Sequence, residues 1–524
     1  MPHGQADVKT ATKALPLITI PTLAASGSEA DSGGVISNEE TNEKAVFFSL
    51  FAYPKVSIVD PQLTVSVPKD YTIDGGIHFY VGYRPGQPDH DLYRELGIYQ
   101  KDQYLEITNY GRFRDPFDGR SLDITQDLDQ LAATMKDISP EDAAFIDKVL
   151  AGAKAFRNSN MTASMQKPPD MTRWWDTLKM MIKMKGTLRY YSGWYLKSLE
   201  EATRELHDPW LAHVFKHLFL PEVPVVFIMI ILGALSGGNM AVRKDGAGGF
   251  ARALEKRYLD LGGNVAYRST VEKIQVENDR AVGVRLSNGE EYRADHIVSA
   301  ADGFSTLYDL LDGKYLTAEL RKLHQEWPLW KPVVLINYGV TRDFSDEPSI
   351  TMLKPSSSTG AGYLASDCWI IRIFNYCPNC APAGRTLVQV MIESEWQPWN
   401  EIREDKDAYN AEKEMTAEQV LGRLNDVWPG IKDQVEMTNV ATPHTWWRFT
   451  RNRQGAFEGF AIIDKIFTTK VNRTLPGLDN FFMAGQWVMP GGGVIPTLVS
   501  GKHAAMLLCR RDGNAFKTTF EEAR

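Results

Sequence analysis

Cysteine is scarce in this sequence, four in 524 residues. That excludes a disulfide framework and points to a reducing compartment. An apolar run long enough to span a bilayer is missing too. The longest, VPVVFIMIILGAL over 223–235, falls short of the ~20 residues a span needs, contains Pro224 and ends in a glycine-rich turn. It predicts a buried helix or the wall of an apolar pocket. Excess positive charge is also absent. A formal net charge of -8 offers no basic face, so nucleic acid is not an expected partner. The opening MPHGQADVKT lacks a charged-then-apolar signal pattern, which predicts a cytoplasmic location.

What is present is an ordinary globular composition, 43% hydrophobic and 24% charged, in a chain long enough for two or more domains. Residues 14–68 alternate apolar runs with turns, LPLITIP and then KVSIVDP, predicting strand–loop–strand structure of an α/β kind. Residues 120–235 are mostly helical in pattern, with a cap-like start at Ser139, Pro140, Glu141 and Asp142. Within them, 174–195 interleaves Trp, Met and Tyr with Lys179, Lys183, Lys185 and Arg189. Such a stretch can lie on a membrane surface. An amphipathic helix pair with a solvated basic face is the expected form. Further on, a helix over 248–261 ends at Gly262 and Gly263. Strands follow in NVAYRST, VEKIQVEN and AVGVRLSNGEEYRADHIVSAAD, with a hairpin turn at Asn288-Gly289.

Two places carry chemistry. The apolar strand over 296–300 closes on Ala300, Ala301, Asp302 and Gly303. Small residues at a strand's C-terminal end let backbone approach a ligand, and open α/β sheets bind nucleotides at that end. The sharper signal is 475–509, LPGLDNFFMAGQWVMPGGGVIPTLVSGKHAAMLLC. A short buried strand over 481–484 ends in Gly485 and Gln486. Gly491, Gly492 and Gly493 then lead into an apolar helix from about Val494, with Ser500, Gly501, Ala504 and Ala505 on a close-packing face. A glycine run brings backbone amides close to a planar ring or phosphate, and a helix N-terminus adds unpaired N–H groups. That suits the electron-rich edge of a reduced flavin; a glycine hinge before a packed helix is the plainer alternative.

The pattern N-x-F-x-A-G-x-W, P-G-G-G, S-G-x-x-A-A resembles the C-terminal flavin signature of the phytoene desaturase-like oxidoreductases, which include carotenoid desaturases, retinol saturases and more distant amine oxidases. The resemblance extends through 248–302, through ATPHTWWRFTRNRQGAFEG over 441–459, and back to D-G-G-I-H-F at 74–79. It implies FAD as cofactor, with Val271, Ala300 and Ala301 by the adenine and ribose and Asp302 among the cofactor-binding residues. Gly485 and Gln486 would lie at the ribityl and phosphate region, Gly492, Gly493 and Val494 at the flavin ring, and Gly76 and His78 on the ring's other side. It also implies an apolar, carotenoid- or isoprenoid-like substrate, for which 223–235 could wall a pocket. Gln486 stands where the family commonly has an acid. The family's opening strand, G-x-G-x-x-G and helix do not precede residue 74.

Residues 14–72 resemble instead an internal piece of the iron-containing alcohol dehydrogenases. In that family the loop matching 21–29, with Thr22, Ser26 and Ser28, contacts a nicotinamide cofactor. The metal-ligand region of that family has no counterpart here. The expected fold class is thus α/β, with the N-terminal βαβ unit replaced. The expected domains are a dehydrogenase-like fragment (1–73), FAD-binding segments (74–84, 245–305, 475–524) and a mixed α+β substrate domain (85–244, 306–474). The rivals are an iron- and NAD-dependent alcohol dehydrogenase and a flavin-less relic that binds an apolar ligand or partner. Expected partners are an apolar small molecule and a membrane surface touched peripherally. No metal is expected. Asp74 and His78 are separated by Gly75 and Gly76, which disfavours a helical ligand pair. His213 and His217 read as helix packing, Cys377 and Cys380 as incidental loop cysteines. GAGGFA at 246–251 reads as a helix-start loop, because MAVRKD before it is poorly apolar.

Overall fold

A computed structural model describes residues 71–518, except 88, 160–164, 166, 356–363 and 365, together with the strands Gly33–Asn38 and Glu43–Phe48. Those two strands pair antiparallel. The predicted runs LPLITIP and KVSIVDP lie outside the described residues.

A seven-stranded sheet organises the larger part of the chain. Its order is Val435–Ala441, Val333–Val340, Thr386–Glu393, Trp369–Ile373, Ile350–Leu353, Asn109–Arg114 and Ser121–Thr125. All its pairs are antiparallel except Ile350–Leu353 with Asn109–Arg114. The strand VVLINYGV is buried along its whole length, as a strand covered on both faces must be. Its even-numbered side chains (Val334, Ile336, Tyr338, Val340) pack with Ala417, Val420 and Leu424 of the helix Lys406–Val427. Its odd-numbered side chains point the other way, where Val333 and Leu335 cluster with Ile73 and Trp446. Period-2 alternation therefore leaves Asn337 on the face toward residues 73–78.

Helices supply a second core. Val225–Ser236 is apolar all round and almost wholly buried, which is what 223–235 predicts. It crosses Ala143–Phe156 so closely that a Cβ on Gly233 would stand 2.7 Å from the Ala153 carbonyl oxygen.

The third unit is a parallel strand pair, Ile297–Ser299 with Phe481–Met483. The C-terminal helix, Val494–Arg511, covers it. Ser500 and Ala504, one turn apart, form its close-packing face with Ala484 and Leu507 nearby. Gly501 does not belong to that face, since it is exposed and a Cβ there would meet no atom within 4 Å. The meander Val271–Glu277, Arg280–Leu286 and Glu291–Arg293 matches the expected strands and turn. Residues 264–270, expected as a strand, are not one. The parallel sheet has only two strands among the described residues, and a lone β-sequence without a neighbour has no ladder to join.

A further correction concerns Met240–Arg243, which is a fully buried strand between Tyr80–Val81 and Tyr104–Glu106. Four residues are too few for an apolar period to register in the sequence. The glycine-rich segment after it opens the helix Gly246–Asp260, as a helix-start loop should.

Candidate functional site

A cavity of about 1850 Å³ lies where the C-terminal helix, the 76–79 segment and the Val225–Ser236 helix meet. Ordinary small-ligand pockets measure roughly 300–1,000 Å³, so this one has room for a flavin ring and a long ligand together. Phe79, Phe156, Ile230, Ile231 and Met352 make its walls apolar.

One side is backbone. Gly491, Gly492 and Gly493 have φ of +94°, +62° and +90°, a left-handed run that residues with a Cβ rarely adopt. They deliver the chain to the start of the C-terminal helix, which no side chain caps. The amides of Val494 and Ile495 stand at that start, the place where a helix offers N–H groups to an electron-rich ring edge.

The facing segment is held from beneath by a buried polar ladder. Asn337, Gln389 and Arg372 are cross-strand neighbours on one face of the large sheet. Gln389 Nε2 donates to Asn337 Oδ1 (2.8 Å) and to the Asp74 carbonyl oxygen (2.7 Å). Arg372 donates to Gln389 Oε1 (3.2 Å) and to the Ile77 carbonyl oxygen (3.0 Å). Asp74 accepts from the Gly76 amide (3.1 Å) and from the Ala247 amide (2.7 Å), capping the helix Gly246–Asp260. That helix start is therefore engaged by the protein's own carboxylate. His78, on this segment, is lowered to about 3 by burial and then by Arg372, so it is neutral at pH 7.

Three further groups on the lining escaped the sequence reading. Glu458 sits over Gly492, where an added Cβ would come 3.0 Å from Glu458 Oε2. Burial raises its carboxyl to about 8, so it keeps its proton at neutral pH. The one sequence signal is its place as a single acid inside the apolar run AFEGFAII. Arg473 is 2% exposed and is lowered to about 10 by burial. His503 lies beside it, lowered to about 4 by burial and then by Arg473.

Of the predicted site residues, Gly76, His78, Gly492, Gly493 and Val494 line the cavity together. Val271, Ala300, Ala301, Asp302, Gly485 and Gln486 do not line it. Val271 begins the meander, and Ala300 and Ala301 follow the parallel strand Ile297–Ser299. Asp302 is buried and accepts from the amides of Ser305 (2.7 Å) and Arg453 (3.0 Å); burial raises its carboxyl to about 6. The Gly485 amide donates to Ser500 Oγ (2.7 Å), and Gln486 Nε2 donates to Asn452 Oδ1 (3.3 Å). The donor set thus fits the ring end of a flavin dinucleotide. No strand–G-x-G-x-x-G–helix unit stands beside the parallel pair among the described residues.

Three other expectations meet their outcome here. The 174–195 stretch is not a helix pair but the helix Trp174–Lys183 followed by two short 3-10 turns. Its apolar side faces out: Trp174, Leu178 and Ile182, spaced by four, are 73%, 49% and 61% exposed. Met180 to Met184 nonetheless border the cavity. Cys377 and Cys380 are not incidental but joined in a disulfide, because the turn from Phe374 brings their Cα atoms to 5.5 Å. His213 and His217 lie on or at the end of the helix Pro209–Lys216, beside Asp367. Among the described residues no helix is long and apolar enough to cross a membrane.

With fold and cavity in view, the class is an α/β flavoenzyme with a large apolar site. Residues 74–509 match the family described as flavin containing amine oxidoreductase, and the chain belongs to that family. Residues 3–61 separately match iron-containing alcohol dehydrogenase, a short N-terminal similarity. A chloroplastic prolycopene isomerase of Daucus carota is 26% identical over 298 residues, 53% of this chain and 46% of that protein. A neurosporene-forming phytoene desaturase of Cereibacter sphaeroides is 25% identical over 427 residues, covering 75% and 78%. The chain spans about half the length of the prolycopene isomerases it matches. An oxidoreductase from Methanosarcina mazei shares the fold, with a TM-score of 0.53 and 16% identity over 86% of this chain and 92% of that one.

Proposed function

We propose that this protein acts on a long apolar substrate of the carotenoid or isoprenoid kind, as a desaturase, saturase or isomerase. The observation that carries the reading is one continuous apolar cavity. It begins at the left-handed glycines and runs to the outward-facing Trp174–Lys183 helix. When bound, FAD supplies the acceptor or donor of a hydride. The chain's own groups do the rest. Backbone at Gly492 and Gly493 and the uncapped helix start support the ring, with Gly76 and His78 opposite. Ile230, Ile231 and Met352 exclude water and align the hydrocarbon. Glu458 holds a proton beside the ring position and can exchange it with a substrate carbon. Val271, Ala300, Ala301 and Asp302 are proposed for the adenosine end, and Gly485 and Gln486 for its approach. Trp174, Leu178 and Ile182, interleaved with Lys179 and Lys183, suit a membrane surface from which such a substrate would enter.

The test is an absorption spectrum of the purified protein before and after adding FAD and desalting. A retained flavin spectrum that bleaches or shifts with a carotenoid supports the reading. A protein that stays colourless would remove it.

A further inference from the structure

We propose that His213, His217 and Asp367 form a binding site for a divalent transition-metal ion of the zinc type, at the rim of the cavity. The two imidazoles come from successive turns of one helix, with ring centroids 4.6 Å apart. Asp367 arrives from the strand-leading segment 366–368, some 150 residues along the chain. One ligand atom from each lies within 4.8 Å of the others. Around a zinc ion with bonds of ~2.0–2.2 Å, ligand atoms stand roughly 3.3 Å apart, so a small rotamer adjustment closes the set.

The chemistry of each donor suits a cation. His213 Nε2 is buried with no hydrogen-bond partner, an arrangement that costs free energy unless something occupies its lone pair or takes its proton. His217 Nε2 lies 2.9 Å from Asp367 Oδ1. The nearest competing cation, Lys216, holds the other carboxylate oxygen, Oδ2, at 3.1 Å and is itself bound to Glu200 at 2.9 Å. Oδ1 faces His217 Nε2, so a metal would take the place of that contact, and Glu200 offsets part of the Lys216 charge. Lys354, the other cation acting on His213, is paired with Asp115 at 2.9 Å. Two nitrogens and one carboxylate are a set that leaves a fourth position open. His217 and Asp367 both line the cavity.

The experiment is titration of the full-length, flavin-loaded protein with zinc chloride after chelator treatment, with cobalt substitution as a spectroscopic check. Wild type is expected to take up one zinc per chain and to give the visible bands of tetrahedral cobalt. His213→Gln and Asp367→Asn are each expected to weaken uptake by roughly tenfold or more, while Lys216→Met keeps or tightens it. The Asp367 side chain is 60% exposed, so its variant is the milder of the two; circular dichroism and flavin absorbance verify the fold of both. Wild type that takes up no zinc overturns the proposal. So does undiminished uptake by both folded variants.

Discussion

Glu458 keeps its proton at neutral pH because the cavity shields it from water and no described cation balances its charge. The sign of the consequence follows. A carboxyl raised in the folded state stabilises most below its unfolded value, and that stability is lost as pH rises toward about 8. Thermal melts should show wild type losing ground to Glu458→Gln between roughly pH 4.5 and 8, with a constant gap above that. If the proton is used on substrate, turnover of wild type should fall above about pH 8, and Glu458→Gln should lack that limb. The polar ladder makes a second residue-scale case. Arg372 is 2% exposed and ties Gln389 to the Ile77 carbonyl, with Asp74 at 3.9 Å. Removing one member of such a buried charged set costs about 3–5 kcal/mol. Arg372→Met should therefore lower the urea midpoint and loosen the His78 segment, seen as faster loss of FAD on desalting.

At the scale of elements, the C-terminal helix and its glycine entrance offer a paired comparison. Gly492→Ala forces a Cβ into left-handed backbone at +62° and to 2.9 Å from Glu458 Cβ. The backbone alone costs about 1–2 kcal/mol, and flavin retention should drop with it. Gly501→Ala, inside the same helix and facing open space, should instead stabilise by about 0.4–1 kcal/mol and leave the flavin spectrum unchanged. The Trp174–Lys183 helix is tested separately. Trp174→Ser with Ile182→Ser should reduce co-sedimentation with anionic vesicles while leaving the melting temperature within a degree or two, because both side chains are mostly exposed. Equal binding by the double variant would remove the docking role.

For the whole molecule, the parallel sheet is the thin point. Its two strands carry the C-terminal helix on one face, and the family's first βαβ unit is not part of the described architecture. Backbone amides and a helix dipole of such a unit grip a pyrophosphate. Saturating FAD should still raise stability, by about 2.7 kcal/mol at a hundredfold excess over Kd, and a flat melting curve against FAD concentration would refute a ring-end site.

Much of this was legible in the residues. The Gly491, Gly492 and Gly493 entrance, the buried 225–236 helix, the meander and its Asn288-Gly289 turn all follow from local rules: φ preference, apolar run length, turn chemistry. Local rules misread Met240–Arg243 and 264–270, because a strand exists only when a neighbour pairs with it, and the neighbour is distant in sequence. The same limit hid Glu458 and the ladder. A carboxyl's proton affinity depends on what shields it, and Asn337, Gln389 and Arg372 become one network only when three separate strands align in register. Asp367 beside His213 and His217 is the clearest instance. Spacing of four puts two histidines on one helix face, but only the packed fold brings a third donor from 150 residues away. Sequence determined the elements and the chemistry they carry; tertiary contact decided which of those groups share a cavity, a dielectric and a ligand.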